Sequence, residues 1–74
     1  MKQVRVAILG ATGAVGQEFI QLIDERKFPA SSLRLLASSR SAGKKIDCLG
    51  KTWTVEEATE DSFNDIDIAL FAGG

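Results

Sequence analysis

Histidine is absent from this sequence, and cysteine occurs once, at Cys48. A disulfide within the chain, a Cys/His zinc cluster and a Cys-His or Ser-His catalytic pair are therefore all excluded inside these 74 residues. Long apolar runs are missing as well. None approaches the roughly 20 residues needed to cross a bilayer, and Lys2 leads into the alternation QVRVAIL rather than the continuous apolar core of a signal peptide. The expectation is a cytoplasmic protein with no membrane partner. Nine basic residues against ten acidic ones leave a net charge of -1, without the clustered basic excess of a broad nucleic-acid surface. No nucleic-acid partner is expected, although a local basic site is compatible with that balance.

The residues present are those of an ordinary globular protein, with 45 % hydrophobic and 26 % charged, so neither disorder nor a membrane class is indicated. The length allows one small domain at most. Chains of this size bury only about 60 % of their unfolded surface, and marginal stability is expected of the segment in isolation.

From Gln3 to Leu9, Val4, Val6 and Ile8 share one face of a strand, and Ala7 and Leu9 make the other face apolar too. Apolarity on both faces predicts a central parallel strand covered on each side. Val15, Phe19, Leu22, Ile23 and Arg26 then follow helical spacing, with Gln17, Glu18, Gln21, Asp24 and Glu25 opposite, up to a stop near Lys27 before Pro29. A second apolar run from Leu33 to Ala37 follows the polar stretch ASS and has the length of a strand. Strand, helix and strand in about 35 residues make a right-handed βαβ unit. SSRSAGK reads as a loop. KKIDCLGKTWTVEE reads as a β-hairpin turning at Gly50 and Lys51, Glu56 to Asn64 as polar and partly helical, and Asp67 to Phe71 as a last strand running into Ala72, Gly73 and Gly74. Three parallel strands and one hairpin leave open sheet edges, which predicts a fragment of a larger protein.

Directly after the first strand comes LGATGAVG, with glycines at 10, 13 and 16. A strand ending in such a turn and entering a helix presents unpaired N–H groups and the positive end of the helix dipole, a site for pyrophosphate. Gly10 permits the tight turn, Gly13 lets a phosphate approach without an intervening Cβ, and Gly16 lets the helix pack closely on the strand. Thr12 adds a hydroxyl donor. The spacing is GxxGxxG rather than the commoner GxGxxG, and the alternative is that these glycines serve turn geometry and helix packing alone.

In a dinucleotide fold of Rossmann type, the residue after the second strand meets the adenosine ribose about 20 residues beyond the glycines. Ser38 stands 22 residues after Gly16 and opens the run Ser38, Ser39, Arg40, Ser41, with Lys44 further on. An Asp or Glu there would hold the ribose hydroxyls of NAD and repel a 2'-phosphate; hydroxyls with a guanidinium suit that phosphate instead. NADP is the expected cofactor, against the alternative of a solvated loop with incidental serines and basic residues.

Taken together, GATGAVG, ERKFPASSLRLLASSRSAGK and DIDIALFAGG resemble the N-terminal part of the aspartate-semialdehyde dehydrogenase family, from Val4 to Gly74. The block from Phe28 through RSAGK is the most specific piece. The resemblance implies a two-domain, NADP-dependent, homo-oligomeric enzyme of lysine, methionine and threonine biosynthesis that reduces L-aspartyl 4-phosphate to L-aspartate 4-semialdehyde. It implies that this chain is the N-terminal part of the NADP-binding domain, and that the catalytic and dimerisation domain lies elsewhere, together with the nucleophilic cysteine and the acid-base histidine. Carried over by motif, Thr12, Gly13, Ala14 and Val15 line the pyrophosphate, Arg40 and Ser41 hold the 2'-phosphate, and Gly73 with Gly74 sits beside the cofactor. The family commonly reads FSAGG or FSAG after the last strand, whereas here Phe71 runs directly into Ala72, Gly73 and Gly74.

No catalytic role is expected of Cys48, which sits in a hairpin strand with no histidine to activate it, and Trp53 reads as hairpin packing. Glu56, Glu57, Glu60 and Asp61 read as a solvated face with no metal site. The rival readings are another semialdehyde dehydrogenase such as the N-acetyl-glutamyl-phosphate reductase type, an extended short-chain dehydrogenase, and a non-catalytic NADP-sensing module.

Overall fold

The computed structural model describes residues 4–72. A parallel four-stranded sheet has at its heart β1 (Val4–Leu9), whose Val6, Ala7 and Ile8 are all buried. On one side β1 pairs with β2 (Ala30–Ala37), and on the other with the strand Ile68–Phe71. Between β1 and β2 the chain crosses over through α1 (Ala14–Glu25). Ile20 and Ile23 of that helix pack on Val6, Ile8, Leu33 and Leu35, so the two-sided apolarity of β1 has its predicted cause on this face.

β2 begins three residues earlier than its apolar run. Val4 pairs with Ala30 and Arg5 with Ser32 across an irregularity, and parallel pairing to β1 carries the strand through the polar stretch ASS that precedes the apolar run. Helix α1 ends ahead of Pro29 in a Schellman turn, with the Phe28 N–H on the Ile23 carbonyl at 3.0 Å and the Lys27 N–H on the Asp24 carbonyl at 3.2 Å. Lys27 takes φ 49° at the position where glycine is usual.

The hairpin consists of β3 (Lys45–Cys48) and β4 (Lys51–Thr54), a separate two-stranded sheet on the α1 side of the larger one. Its turn is Leu49-Gly50, one residue earlier than expected, because Lys51 pairs with Cys48. Both turn residues have positive φ, 54° and 74°, the signature of a type I′ turn. The Leu49 N–H donates to Asp24 Oδ1 on α1 at 2.8 Å, and Cys48 and Val55 are buried with Ile20, Ile23 and Leu35.

Beyond the hairpin, β5 (Glu56–Glu57) pairs in parallel with Leu36 and Ala37 of β2, giving four parallel strands where three were expected. Only its backbone takes part; both glutamates remain exposed, as a solvated face requires. A 3-10 turn, Glu60–Phe63, follows on the opposite face, where Arg34 Nη1 donates to the Ser62 carbonyl at 2.6 Å. The last strand, β6, is Ile68–Phe71. Asp67 in the bend before it accepts the Arg5 N–H at 2.8 Å and donates its own N–H to the Arg5 carbonyl at 2.9 Å, which fixes β6 against β1. An open apolar groove of about 360 Å³ lies between α1 and β6, lined by Phe19, Leu22, Phe28, Ile68 and Leu70 among others. Among the described residues no helix is long and apolar enough to cross a membrane.

Candidate cofactor site

Parallel pairing sends the C-terminal ends of β1, β2 and β6 to one edge of the sheet, and the glycine loop is held there between its neighbours. The N–H groups of Gly10 and Ala11 both donate to the Leu36 carbonyl of β2, at 2.9 and 3.0 Å, and the Ala72 N–H donates to the Leu9 carbonyl at 2.8 Å. Gly10 turns the chain with φ 82°, in the left-handed region that a side chain disfavours. Gly16 has a different task. A Cβ on it would stand 2.1 Å from the Gly10 carbonyl oxygen and 2.8 Å from Ala11 Cα, so helix and loop touch where that side chain would be. Both roles agree with the sequence reading.

Gly13 is the N-cap of α1 and supplies no side-chain cap, and the first helical turn contains no acidic residue. A Cβ built on Gly13 meets nothing closer than the Gly10 oxygen at 3.4 Å, which is ordinary contact. The Gly13 N–H is already engaged with the Gly10 carbonyl at 3.0 Å; the N–H groups of Ala14 and Val15, which begin the helix and are exposed, lack an intrahelical partner. An uncapped, exposed helix N-terminus without a neighbouring carboxylate fits a phosphate anion.

The second predicted cluster folds against the first. Ser38 leaves β2 and its carbonyl accepts the N–H groups of Ser41 and Ala42, at 3.0 and 3.2 Å, which curls the loop back over the glycines. Thr12 Oγ1 donates to Ser41 Oγ at 3.2 Å. Thr12 and Ser41 are half-buried at this contact, while Ser38 and Arg40 are exposed beside it. The structure thus brings Gly10, Thr12, Gly13, Ala14, Val15, Ser38, Arg40 and Ser41 to one place; Gly73, expected beside the cofactor, lies outside the described residues. Gln17 was missed by the sequence reading. Its Nε2 donates to the Thr12 carbonyl at 2.9 Å and braces the loop that carries the Thr12 hydroxyl; its only signal was a polar side chain five residues beyond Thr12.

Cys48 lies in the core. Its side chain is buried, its Sγ–H donates to the Ile20 carbonyl at 3.6 Å, and burial pushes the thiol pKa up, reinforced by the charge of Asp24 and opposed by the Leu49 N–H. Trp53 packs against the core as expected, with Nε1 donating to the Cys48 carbonyl at 2.9 Å. No group of acidic, cysteine or histidine side chains able to hold a metal occurs among the described residues.

Comparison with known proteins places this geometry. Residues 5–74 match the sequence model described as "Semialdehyde dehydrogenase, NAD binding domain". Aspartate-semialdehyde dehydrogenases from Corynebacterium glutamicum and Aquifex aeolicus are 51% and 52% identical to the chain over 93% and 95% of its length. The chain spans about a fifth of each of these relatives, 21%. Among solved structures, aspartate semialdehyde dehydrogenase II from Vibrio cholerae, complexed with ASA, superposes with a TM-score of 0.93 at 46% identity, covering 99% of this chain and 24% of that one. A probable aspartate-semialdehyde dehydrogenase from Pseudomonas aeruginosa gives 0.87 at 38% identity, covering 96% and 21%. A glycine loop at the edge of a parallel sheet, matched across nearly the whole chain, assigns it to the semialdehyde dehydrogenase family as a nicotinamide-cofactor-binding domain of α/β, Rossmann-type fold.

Proposed function

We propose that the chain is the N-terminal part of the NADP-binding domain of an aspartate-semialdehyde dehydrogenase, a cytoplasmic homo-oligomer that reduces L-aspartyl 4-phosphate to L-aspartate 4-semialdehyde in lysine, methionine and threonine biosynthesis. Relatives bearing that name at 46% to 52% identity support the substrate over that of other semialdehyde dehydrogenases. The uncovered apolar groove beside β6 supports a larger domain. The observation that carries the cofactor reading is the Thr12–Ser41 contact, which joins the pyrophosphate loop to a loop whose only charges are positive.

When bound, NADPH supplies the hydride. The residues of this chain bind and orient it. Ala14 and Val15 offer backbone N–H groups to the pyrophosphate, with Gly13 leaving room for its approach, and Gln17 holds the Thr12 carbonyl so that the threonine hydroxyl stays between the two loops. Ser38, Ser41 and Arg40 receive the 2'-phosphate, Arg40 as a fork of donors that can pair with two phosphate oxygens. The nucleophilic cysteine and the acid-base histidine belong to another part of the enzyme, since this chain has no histidine and its one cysteine is buried.

The test is Arg40→Ala in the full-length enzyme. One charge-assisted hydrogen bond contributes about 1.5–3 kcal/mol, so NADP affinity falls roughly tenfold to hundredfold while NAD affinity stays near its starting value. Titration calorimetry with both cofactors reads the difference, and an equal loss for the two would overturn the NADP assignment.

A further inference from the structure

The strand order β5-β2-β1-β6 puts β2 on one side of β1 and β6 on the other, so the course of the chain across the sheet reverses between β1 and β6. In open α/β sheets, ligands bind at the carboxyl ends of the strands, in the crevice where that reversal occurs. With adenosine at the loop after β2 and pyrophosphate at the start of α1, as proposed above, the nicotinamide end of the cofactor extends toward β6. What reaches the crevice there depends on the register of β6 against β1. A slip of one residue would exchange every side chain of the strand between the two faces of the sheet.

The side chains of β6 specify that register weakly. Ile68 and Leu70 share the face that lines the groove beside α1, and Ala69 and Phe71 share the other, so both faces are apolar. The Phe63–Phe71 ring contact, with centroids 6.0 Å apart, holds a single side chain of the strand. Asp67 closes the ladder instead. Its Oδ2 accepts the Arg5 N–H at 2.8 Å and the Arg5 Nε at 3.3 Å, and its own N–H donates to the Arg5 carbonyl at 2.9 Å. Both backbone groups of one β1 residue are thereby held by the residue just ahead of β6. At the far end of the strand the Ala72 N–H donates to the Leu9 carbonyl at 2.8 Å, so the register set at Asp67 is the register delivered to the edge. The turn leading to Asp67 is anchored as well, since Arg34 Nη1 donates to the Asn64 carbonyl at 3.2 Å in addition to that of Ser62.

We propose that Asp67 is a positioning residue for the nicotinamide end of the cofactor: its carboxylate, bonded to the Arg5 N–H, locks β6 in the register that brings Ala72 beside the glycine loop. Geometry rather than charge carries this role. The side chains of the Arg5–Asp67 ion pair are 48% and 42% exposed, and exposed pairs contribute little, whereas the 2.8 Å bond to a backbone N–H fixes the chain itself. Asp67 acts from the opposite end of β6 to the cofactor edge, and its role rests on the cofactor reading above.

The test uses the full-length enzyme with Asp67→Ala, Asp67→Asn, Asp67→Glu and Arg5→Met. Each is titrated with NADP and with adenosine 2',5'-bisphosphate, which carries the adenosine end alone, and is assayed for kcat with NADPH. Asp67→Ala is expected to weaken NADP binding and lower kcat about tenfold, the equivalent of one charged hydrogen bond, and to leave the affinity for the bisphosphate unchanged. Asp67→Asn keeps an acceptor at the same distance and retains most of the parent affinity. Asp67→Glu keeps the charge on a longer side chain and loses affinity for NADP alone. Arg5→Met removes the ion pair but not the backbone N–H, and stays near the parent. Unchanged NADP affinity and kcat in Asp67→Ala would overturn the role of Asp67 and leave the cofactor reading standing. An equal loss of NADP and the bisphosphate would mark a general loss of structure and overturn it too. If Asp67→Ala does not fold, the Asn and Glu variants decide: a tolerated glutamate with a damaging asparagine, or an Arg5→Met loss as large as theirs, would place the effect in charge and overturn the geometric role. A parent enzyme that binds neither NADP nor the bisphosphate would overturn the cofactor reading itself, and this proposal with it.

Discussion

Replacing Gly16 by alanine sets two effects of opposite sign against each other. Alanine is about 1 kcal/mol better than glycine inside a helix, and Gly16 lies in the first turn of α1, so propensity alone predicts a more stable protein. Packing predicts the reverse. The added Cβ would sit 2.1 Å from the Gly10 oxygen and 2.9 Å from the Ala11 carbonyl carbon, against the 3.4 Å of an ordinary contact, so helix and loop must part by more than 1 Å. Neither can yield cheaply, because both residues of the loop hang by their N–H groups from the Leu36 carbonyl. Overpacking costs about 1–3 kcal/mol, and a clash with fixed backbone belongs at the upper end. The net expectation is a loss of about 2 kcal/mol, roughly 4–8 °C in melting temperature for a domain of about 150–250 residues. Circular dichroism on the full-length variant reads it. Gly13→Ala is the control: its Cβ has room, so the expected stability change is about 1 kcal/mol or less from the poorer N-cap, while NAD and NADP affinities fall together because the pyrophosphate is common to both. A Gly16→Ala protein that melts at or above the parent temperature would refute the packing account.

Two further predictions concern the scaffold. Lys27 occupies the left-handed position of the Schellman turn at φ 49°, so Lys27→Gly should raise stability by about 1 kcal/mol, measured by chemical denaturation; a decrease would mean that the lysine side chain contributes more than the backbone conformation costs. Cys48 gives a pH signature. Its folded-state pKa is raised, first by burial and then by Asp24, so the unfolded thiol, at about 8.5, loses its proton first and gains stability relative to the fold as pH rises. The contribution is complete below about pH 8.5 and declines above it; Cys48→Ala should therefore flatten the alkaline fall of unfolding free energy, and identical slopes in parent and variant would contradict the assigned shift.

Which elements the sequence made legible follows from which carry a side-chain signal. β1 was readable because Val4, Val6 and Ile8 alternate as one face of a strand, and Val6 and Ile8 are buried; α1 was readable as a helix, but its buried side is Ile20 with Ile23, whereas Val15 and Leu22 of the expected apolar stripe stay exposed. β5 was not readable: Glu56 and Glu57 enter the sheet through backbone pairing with Leu36 and Ala37, and exposed glutamates give no apolar pattern. The start of β2 was lost for the same reason, its Ala30 and Ser32 joined to β1 by backbone pairing. The hairpin turn lies a residue earlier than expected because Leu49, not Lys51, joins Gly50 in it with positive φ, held by the Asp24 carboxylate and by the Cys48–Lys51 register. At the site, spacing alone pointed to Ser38 as the residue that follows the second strand. Gln17 and the Thr12–Ser41 contact depend on how two loops fold onto each other, which no linear spacing encodes.

The same topology separates the loops at the sheet edge from the cysteine of this chain. A parallel sheet delivers every strand end to one edge, so β1, β2 and β6 place the glycine loop, the serine-arginine loop and Ala72 together without any long-range coincidence of sequence. The one thiol, Cys48, is carried instead by β3, on the α1 face of the sheet, buried with Ile20 and Ile23. To reach the edge, Cys48 would have to leave a buried site, give up its contact with the Ile20 carbonyl and ionise against a raised pKa. Each step opposes reaction. The sulfur is better placed as a packing atom between hairpin and helix, where it steadies the strand that begins at Lys45 and so the loop that ends at Lys44.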